Sequence, residues 1–301
     1  MGPRVSKSTA REGMTRGYQF GFVGSTDNHQ SFPAAYLGGR VGVYAESLTR
    51  GHLWESIAKR RTIACKGDCI AVWVEANGAP LGSQIKAPSG RVDVRCDIVA
   101  EDAIDKVELI RTDRVIKSFN PAEESRPESS DGTFKVRLQI GWGSPVYRAV
   151  WKGSLNVKGG RIKSLRPYFV TALGQDPNDA GRQRIVSWDE HGYEFECLAC
   201  GPPQQVVAVV EGHADTQFIL DSNQSSMNVY LQDLLAHSFA CRERKHQATA
   251  AKLCTAVPEL AYTYRFEFTD VLKNIDKCGY YVRVTQRNLQ RAWTSPVWVV
   301  G

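Results

Sequence analysis

Residues 69–78 of this 301-residue chain read Cys69-Ile-Ala-Val-Trp-Val-Glu-Ala-Asn-Gly78, and this stretch decides the fold class. An apolar run followed by Asn-Gly is the strongest short-range signal for a β-hairpin, because both residues tolerate the left-handed backbone of a two-residue turn. Similar short runs bounded by turn residues recur at residues 91–99, 106–111, 134–140 and 280–286. Together they predict a mainly β protein, with an antiparallel β-sandwich-like domain over residues 67–301.

Residues 1–66 follow a different pattern, which is typical of a partial α/β segment. The stretch Gly17-Tyr-Gln-Phe-Gly-Phe-Val23 is apolar and aromatic enough to predict a buried strand. Residues 50–61 predict a helix with Thr49 as its N-cap, because Thr is a favoured capping residue and apolar side chains follow at helical spacing. We therefore expect two modules, at residues 1–66 and 67–301.

Composition and charge argue against several classes of protein. With 42% hydrophobic and 23% charged residues the composition is that of a globular protein. The sequence has neither a long uncharged apolar run nor an apolar stretch near Met1, so we expect no membrane partner, no export signal and, by default, a cytoplasmic location. Residues 1–66 hold ten of the 38 basic residues and four of the 32 acidic residues, and they account for the net charge of +6. These charges are scattered and form no basic stripe interleaved with aromatic residues, so we expect no nucleic-acid partner.

The eight cysteines are too few for a disulfide scaffold in a chain of this length. Cys197 and Cys200 have the spacing of half a zinc site, but no second Cys pair or His pair follows. Buried strand thiols are the expected role for this pair, and the same is expected of Cys65 and Cys69.

Two polar residues stand out directly after the first predicted strand. Asp27 and His29 lie two positions apart where the chain leaves that strand. In α/β barrels the active site lies at the carboxyl ends of the strands. Carboxylate oxygen and neutral imidazole are suitable ligands for zinc, manganese or iron, and a water bound to such an ion becomes a nucleophile near neutral pH. By itself the D-x-H spacing is also typical of an ordinary loop.

The surrounding sequence resembles one known family. The carrying stretches are Phe20-Gly-Phe-Val-Gly-Ser-Thr-Asp-Asn-His29, Arg60-Arg-Thr-Ile-Ala-Cys-Lys-Gly-Asp68, Tyr281-Val-Arg-Val-Thr-Gln286 and Ala292-Trp-Thr-Ser-Pro-Val-Trp298. They are similar to the C-terminal part of PHP (polymerase and histidinol phosphatase) proteins, in the large branch of uncharacterised function that includes carbamate and aryl-ester hydrolases. In that branch a strand ending G-S-x-D-x-H is followed by a helix, by R-R-T-x-A-x-x-G-D and by a β-rich region.

The resemblance implies a function and two metal ligands. It implies a metal-dependent hydrolase of phosphoesters, carbamates or carboxylic esters, with a small-molecule ester as substrate and with Asp27 and His29 as ligands of divalent zinc, manganese or iron. Arg40 is a candidate for steering an anionic substrate toward them. Family members take further ligands from an H-x-H pair near the start of the domain, and this chain has no H-x-H. We therefore expect a C-terminal fragment, with residues 1–66 as the end of a barrel, that binds metal weakly or not at all and is not competent alone.

A rival prediction comes from another class of protein, a non-catalytic β-sandwich module for binding or structure. In either case the apolar residues of the first module would pack on the sandwich or remain as an exposed patch through which the chain self-associates. Residues 188–191 predict a solvated turn, and most tryptophans are expected to pack in the interior rather than to bind sugar. The spacing of leucines predicts a short helix near residues 229–236. The residues of the predicted apolar patch are Phe20, Phe22, Val41, Leu53, Trp54 and Ile57.

Overall fold

Short strands make up most of the chain in the computed structural model. The structure describes residues 9–27, 38–121, 130–142, 149–170, 182–199, 203–242, 250–272 and 277–300. In chain order the first elements are α1 Ala10–Thr15, β1 Gly39–Val43, α2 Arg50–Ala58, β2 Thr62–Lys66, β3 Ala71–Ala76, β4 Ala79–Pro80, β5 Gln84–Ile85, β6 Arg91–Val99, β7 Ile104–Arg111 and β8 Arg114–Phe119. Next come β9 Gly132–Trp142, β10 Ala149–Lys158, β11 Arg161–Tyr168, β12 Arg184–Trp188, β13 Gly192–Ala199, β14 Gln204–Gly212, β15 Gln217–Ser222, β16 Ser226–Tyr230 and α3 Leu231–Ala236. The last are β17 Phe239–Arg242, β18 Ala250–Leu253, β19 Val257–Pro258, α4 Glu259–Tyr262, β20 Thr263–Val271, β21 Cys278–Gln286, β22 Arg291–Thr294 and β23 Val297–Val299.

The chain divides into two compact units. Unit 1 comprises Met1–Asp27, Gly38–Arg126 and Ala261–Gly301, and unit 2 comprises Asn28–Leu37 and Pro127–Leu260. The boundary predicted between residues 66 and 67 falls inside unit 1, because β2 pairs with β22 in one sheet of that unit.

Unit 1 contains two sheets among its described residues. The larger sheet has the order β1-β2-β22-β21-β23-β5, and β7 joins it by pairing with both β21 and β8. The smaller sheet has the order β20-β6-β3-β4. The recorded pairings are antiparallel except for β23 with β5, which is parallel. The prediction of a mainly β, antiparallel protein is confirmed.

The hairpin signal and the helix cap are also confirmed. Asn77 and Gly78 have φ values of 48° and 74° and join β3 to β4, as a type I′ turn requires. The Thr49 side chain accepts a hydrogen bond from the backbone N–H of His52 at 3.3 Å, which satisfies a donor at the start of α2.

The strand predicted at residues 17–23 is wrong, because residues 18–27 form neither helix nor strand. In a β-sheet the backbone groups of this segment would bond to the backbone of a neighbouring strand. Here those of Phe22 bond to side-chain hydroxyls instead. The backbone N–H of Phe22 donates to Ser295 Oγ and its carbonyl accepts from Thr62 Oγ1, both at 2.8 Å. Phe20 and Phe22 nevertheless pack as expected of apolar residues, with the Phe22 ring centroid 5.4 Å from that of Tyr281.

Unit 2 is a β-sandwich. One sheet has the order β12-β13-β10-β15-β16 and the other β11-β14-β9-β18-β17, with β19 on β9. Both sheets contribute to one hydrophobic core, in which Trp151 of β10 and Phe134 of β9 are almost fully buried. Burial of each large apolar side chain stabilises the fold by about 1.5–3 kcal/mol. The helix predicted near residues 229–236 is present as α3, with Leu231 and Leu234 buried.

The predicted apolar patch is only partly exposed. Trp54 and Ile57 of α2 are 74% and 43% exposed, and Val41 is 42% exposed. The buried residue of α2 is Ser56, so the helix does not turn its apolar side inward.

Candidate functional site

Asp27 lies at the end of a segment that runs beside β1. The backbone N–H of Gly39 donates to the carbonyl of Ser25 at 3.1 Å. The two segments approach so closely that a Cβ atom at Gly24 would lie 2.5 Å from the Arg40 carbonyl oxygen, and one at Gly39 would lie 2.5 Å from the Ser25 oxygen. Glycine is therefore required at both positions, and it brings the backbone of Asp27 close to the start of β1.

The Asp27 residue is exposed and has a φ of 50°. Left-handed backbone is uncommon outside glycine, but aspartate adopts it more readily than most residues. His29 lies outside the described residues, so the predicted Asp27/His29 pair stays a prediction.

Arg40 is partly buried in β1, where it pairs with Cys65 of β2. Its Nη1 donates to Cys69 Sγ at 3.5 Å. The guanidinium thus contacts the turn that follows β2. Its role in steering substrate stays a prediction.

The Cys65 thiol is buried and donates to the carbonyl of Ile70 at 3.4 Å. Burial raises the pKa of Cys65 to about 11, because the thiolate would lose its solvation. Cys65 is therefore a protonated thiol at neutral pH, as expected of a buried strand cysteine. The same expectation is wrong for Cys69, which is only partly buried and lies in the turn after β2.

A buried polar network that was not predicted from the sequence adjoins this turn. Asp68 is fully buried, and its Oδ2 accepts from Gln286 Nε2 and from Asn288 Nδ2, each at 2.8 Å. The Gln286 Oε1 in turn accepts from the backbone N–H groups of Glu101 and Asp102, at 2.8 and 3.2 Å. The network fixes the turn after β2 to the turn after β21.

This network joins two of the stretches that carry the family resemblance. Asp68 ends the stretch that begins at Arg60, and Gln286 ends the stretch that begins at Tyr281. Asp68 lies two residues after β2 and Gln286 is the last residue of β21, so no local sequence signal brings the two together.

The described residues do not by themselves form a metal centre. Asp27 supplies one exposed carboxylate. Within the described parts of the chain, no group of three or more His, Cys, Asp or Glu side chains is arranged to hold a metal ion. Asp68 is committed to amide donors, and the Arg40 cation contacts Cys69, which disfavours a second cation there.

The remaining candidates have ordinary structural roles. The Asp189 side chain accepts from the backbone N–H groups of His191 and Gly192 at 2.8 and 3.0 Å, which confirms the exposed turn. Trp151 and Trp298 are buried, as packing residues should be. Cys197 is fully buried in β13, whereas Cys200 and the Trp142 side chain lie outside the described residues.

None of the helices in the described residues has the length and apolar character needed to cross a membrane. Comparison of the chain with family models, with curated proteins and with solved structures gives no match.

Proposed function

We propose that this chain is part of a metal-dependent hydrolase of phosphoesters, carbamates or carboxylic esters, with Asp27 and His29 among the metal ligands. The proposal rests on the PHP-like stretches of the sequence. The observation that supports it best is the close approach of residues 24–26 to residues 38–40, which brings the Asp27 segment against the strand that carries Arg40.

A divalent ion at such a site would supply a bound hydroxide as nucleophile and would polarise the ester. The described residues of the chain supply only part of such a site. Asp27 offers an exposed carboxylate, and the glycines beside it hold the backbone in place. Because the described residues supply one candidate ligand, further ligands are needed from outside them, and this chain alone should bind metal weakly.

The test uses the protein as produced by its own gene, with any residues that lie outside this chain. Metal content and the hydrolysis of nitrophenyl acetate, nitrophenyl phosphate and a phenyl carbamate are measured with zinc, manganese or iron. Asp27→Asn and His29→Gln should each lower both the bound metal and the rate, the rate by about 100-fold or more. The matched control is Asp113→Asn, which changes another exposed aspartate of unit 1 and should leave both unchanged. Unchanged metal content and turnover in Asp27→Asn would show that the ligand assignment is wrong.

The rival function, a binding module, is favoured by a cleft in unit 2. This cleft has a volume of about 750 Å³ and is lined by hairpin turns that carry Arg161, Glu190, His191, Glu211 and His213. Polar side chains around an open cleft suit a polar ligand such as a sugar. Titration of the full chain with neutral oligosaccharides, followed by NMR, should then shift the His191 and His213 signals but not that of exposed His237. Unshifted signals at saturating sugar would contradict this function.

A further inference from the structure

A small basic cavity lies between the C-terminal end of α2 and the turn before β5. It has a volume of about 330 Å³ and is lined by Lys59, Arg60, Arg61, Gly82, Ser83 and Gln84. We propose that this cavity binds a phosphate-like oxyanion, either inorganic phosphate or the phosphoryl group of a small phosphomonoester. The proposal uses other residues than the proposed hydrolase site and does not depend on that function.

The backbone at the end of α2 places an arginine where glycine is the usual residue. The N–H of Arg60 donates to the carbonyl of Ile57, and the N–H of Arg61 donates to that of Ser56, both at 2.9 Å. This is the Schellman pattern of helix termination, whose left-handed residue is most often glycine. Arg60 occupies that position with a φ of 59°. A non-glycine residue there costs about 1–2 kcal/mol, and such a strained position points to a use for the side chain.

The opposite wall is held against the helix end by close packing. A Cβ atom at Gly82 would lie 2.2 Å from the carbonyl oxygen of Lys59, so only glycine fits there. Gly82 itself has a φ of 84°, and its carbonyl accepts from Arg60 Nε at 3.2 Å. The cavity is therefore formed by two backbone segments in fixed contact.

The charge of the cavity is positive even after its acidic neighbours are counted. Lys59 pairs with Glu55, and the last carbonyls of α2 contribute about half a negative charge. The three positive charges of Lys59, Arg60 and Arg61 outweigh these two negative contributions. After the larger effect of Lys59, the Arg61 charge also helps to lower the pKa of Glu55, but within the described residues the Arg61 guanidinium forms no hydrogen bond or ion pair, so its donors are available to a ligand.

The geometry of these donors favours an oxyanion over a simple halide. Guanidinium groups present paired N–H donors that match two oxygens of a phosphate or carboxylate. Two guanidinium groups and an ammonium group favour a dianion such as phosphate over a monoanion. The Ser83 hydroxyl adds a neutral donor to the lining.

The first experiment is calorimetric titration of the full chain with inorganic phosphate and with phenyl phosphate, at constant ionic strength set with chloride. Saturable binding of phosphate is expected, and Arg61→Gln should weaken it about tenfold, or about 1.4 kcal/mol. Binding of inorganic phosphate alone supports a site for the free ion, and binding of both supports a phosphomonoester site. Phosphate that binds no more tightly than chloride overturns the proposal.

A second pair of variants separates binding from folding. Arg60→Gly relieves the left-handed strain but loses the Nε hydrogen bond to Gly82, so the urea midpoint should change little while phosphate affinity falls. The matched control is Arg114→Gln, which removes an exposed cation from β8 and should change the affinity by less than about twofold. Equal affinities for Arg60→Gly, Arg61→Gln and Arg114→Gln would show that general charge, and not this cavity, attracts the anion.

Discussion

The buried carboxylate of Asp68 accepts a hydrogen bond from the side-chain amide of Gln286, a residue 218 positions away in the sequence, at 2.8 Å. A fully buried carboxylate is stable only when its oxygens are bonded, because burial removes its hydration. Here the donors are the side-chain amides of Gln286, the last residue of β21, and of Asn288, in the turn between β21 and β22. The pair therefore links the beginning and the end of unit 1.

Asp68→Ala should lower the free energy of unfolding by about 1–3 kcal/mol, because two buried amide donors would lose their acceptor. Urea denaturation followed by circular dichroism measures this change. Asp113→Ala, at an exposed position of the same unit, should change stability by less than about 0.5 kcal/mol. Equal effects of the two variants would show that the Asp68 network contributes no stability.

Glu108 should make the stability of the protein depend on pH. Its side chain is 7% exposed, and it accepts from Arg283 Nε at 2.6 Å. This hydrogen bond, helped by Lys106, holds the pKa of Glu108 below its ordinary value of 4.5. Because the folded-state pKa is the lower one, the stabilisation is complete at pH values above 4.5 and is lost as the pH falls through the folded-state pKa.

Glu108→Gln should therefore cost about 1–3 kcal/mol at pH 7 and progressively less below pH 4.5. Urea midpoints at a series of pH values measure the difference from the unmodified protein. Glu46→Gln is the control and should show a much smaller difference, because the Glu46 side chain is 86% exposed and its ion pair with His52 is long, at 3.9 Å, and open to solvent. A cost of Glu108→Gln that does not change with pH would contradict the mechanism.

Gly141→Ala should destabilise unit 2 for two reasons. Gly141 has a φ of 77°, and a Cβ atom there would lie 1.9 Å from the Cβ atom of Ala199. Left-handed strain alone costs about 1–2 kcal/mol, and the overlap adds to it.

A double-mutant cycle separates the two costs of Gly141→Ala. Adding Ala199→Gly removes the overlapping methyl group, so the double variant should regain the packing part of the loss but not the strain. Thermal or urea unfolding of the four proteins gives the coupling energy. Strict additivity of the two substitutions would show that the side chains do not meet.

Thr49→Ala should weaken α2 by about 0.5–2 kcal/mol, because the backbone N–H of His52 loses its capping acceptor. Thr49→Ser keeps the hydroxyl and should retain most of the stability. Amide hydrogen exchange at residues 52–58 measures the stability of α2 most directly. Similar exchange rates in Thr49→Ala and Thr49→Ser would argue against the cap.

Much of the fold could be predicted from local signals. The Asn77-Gly78 turn, the Thr49 cap and strand β6 are each determined by residues close together in the sequence, and all three are present. The structure of residues 17–23 was predicted wrongly. The apolar residues of this segment favour a strand, but its backbone is bound by the hydroxyls of Thr62 and Ser295. Such bonds depend on residues distant in the sequence, which periodicity does not reveal.

The candidate site could also be predicted only in part. Asp27 was identified from its position after an apolar run, and the glycines beside it are explained by the approach of Arg40. The Asp68–Gln286 network and the cavity at Arg60 and Arg61 were not assigned a role, because each is formed by segments that meet only after folding.

The order of the elements along the chain has a consequence for synthesis of the protein on the ribosome. Strand β21, which pairs with β7, β22 and β23, comes after the whole of residues 127–260. A nascent chain can thus complete the sandwich of unit 2 before the larger sheet of unit 1 has received its central strand. Until then β7 presents an unpaired edge, and such edges are prone to aggregate or to recruit chaperones.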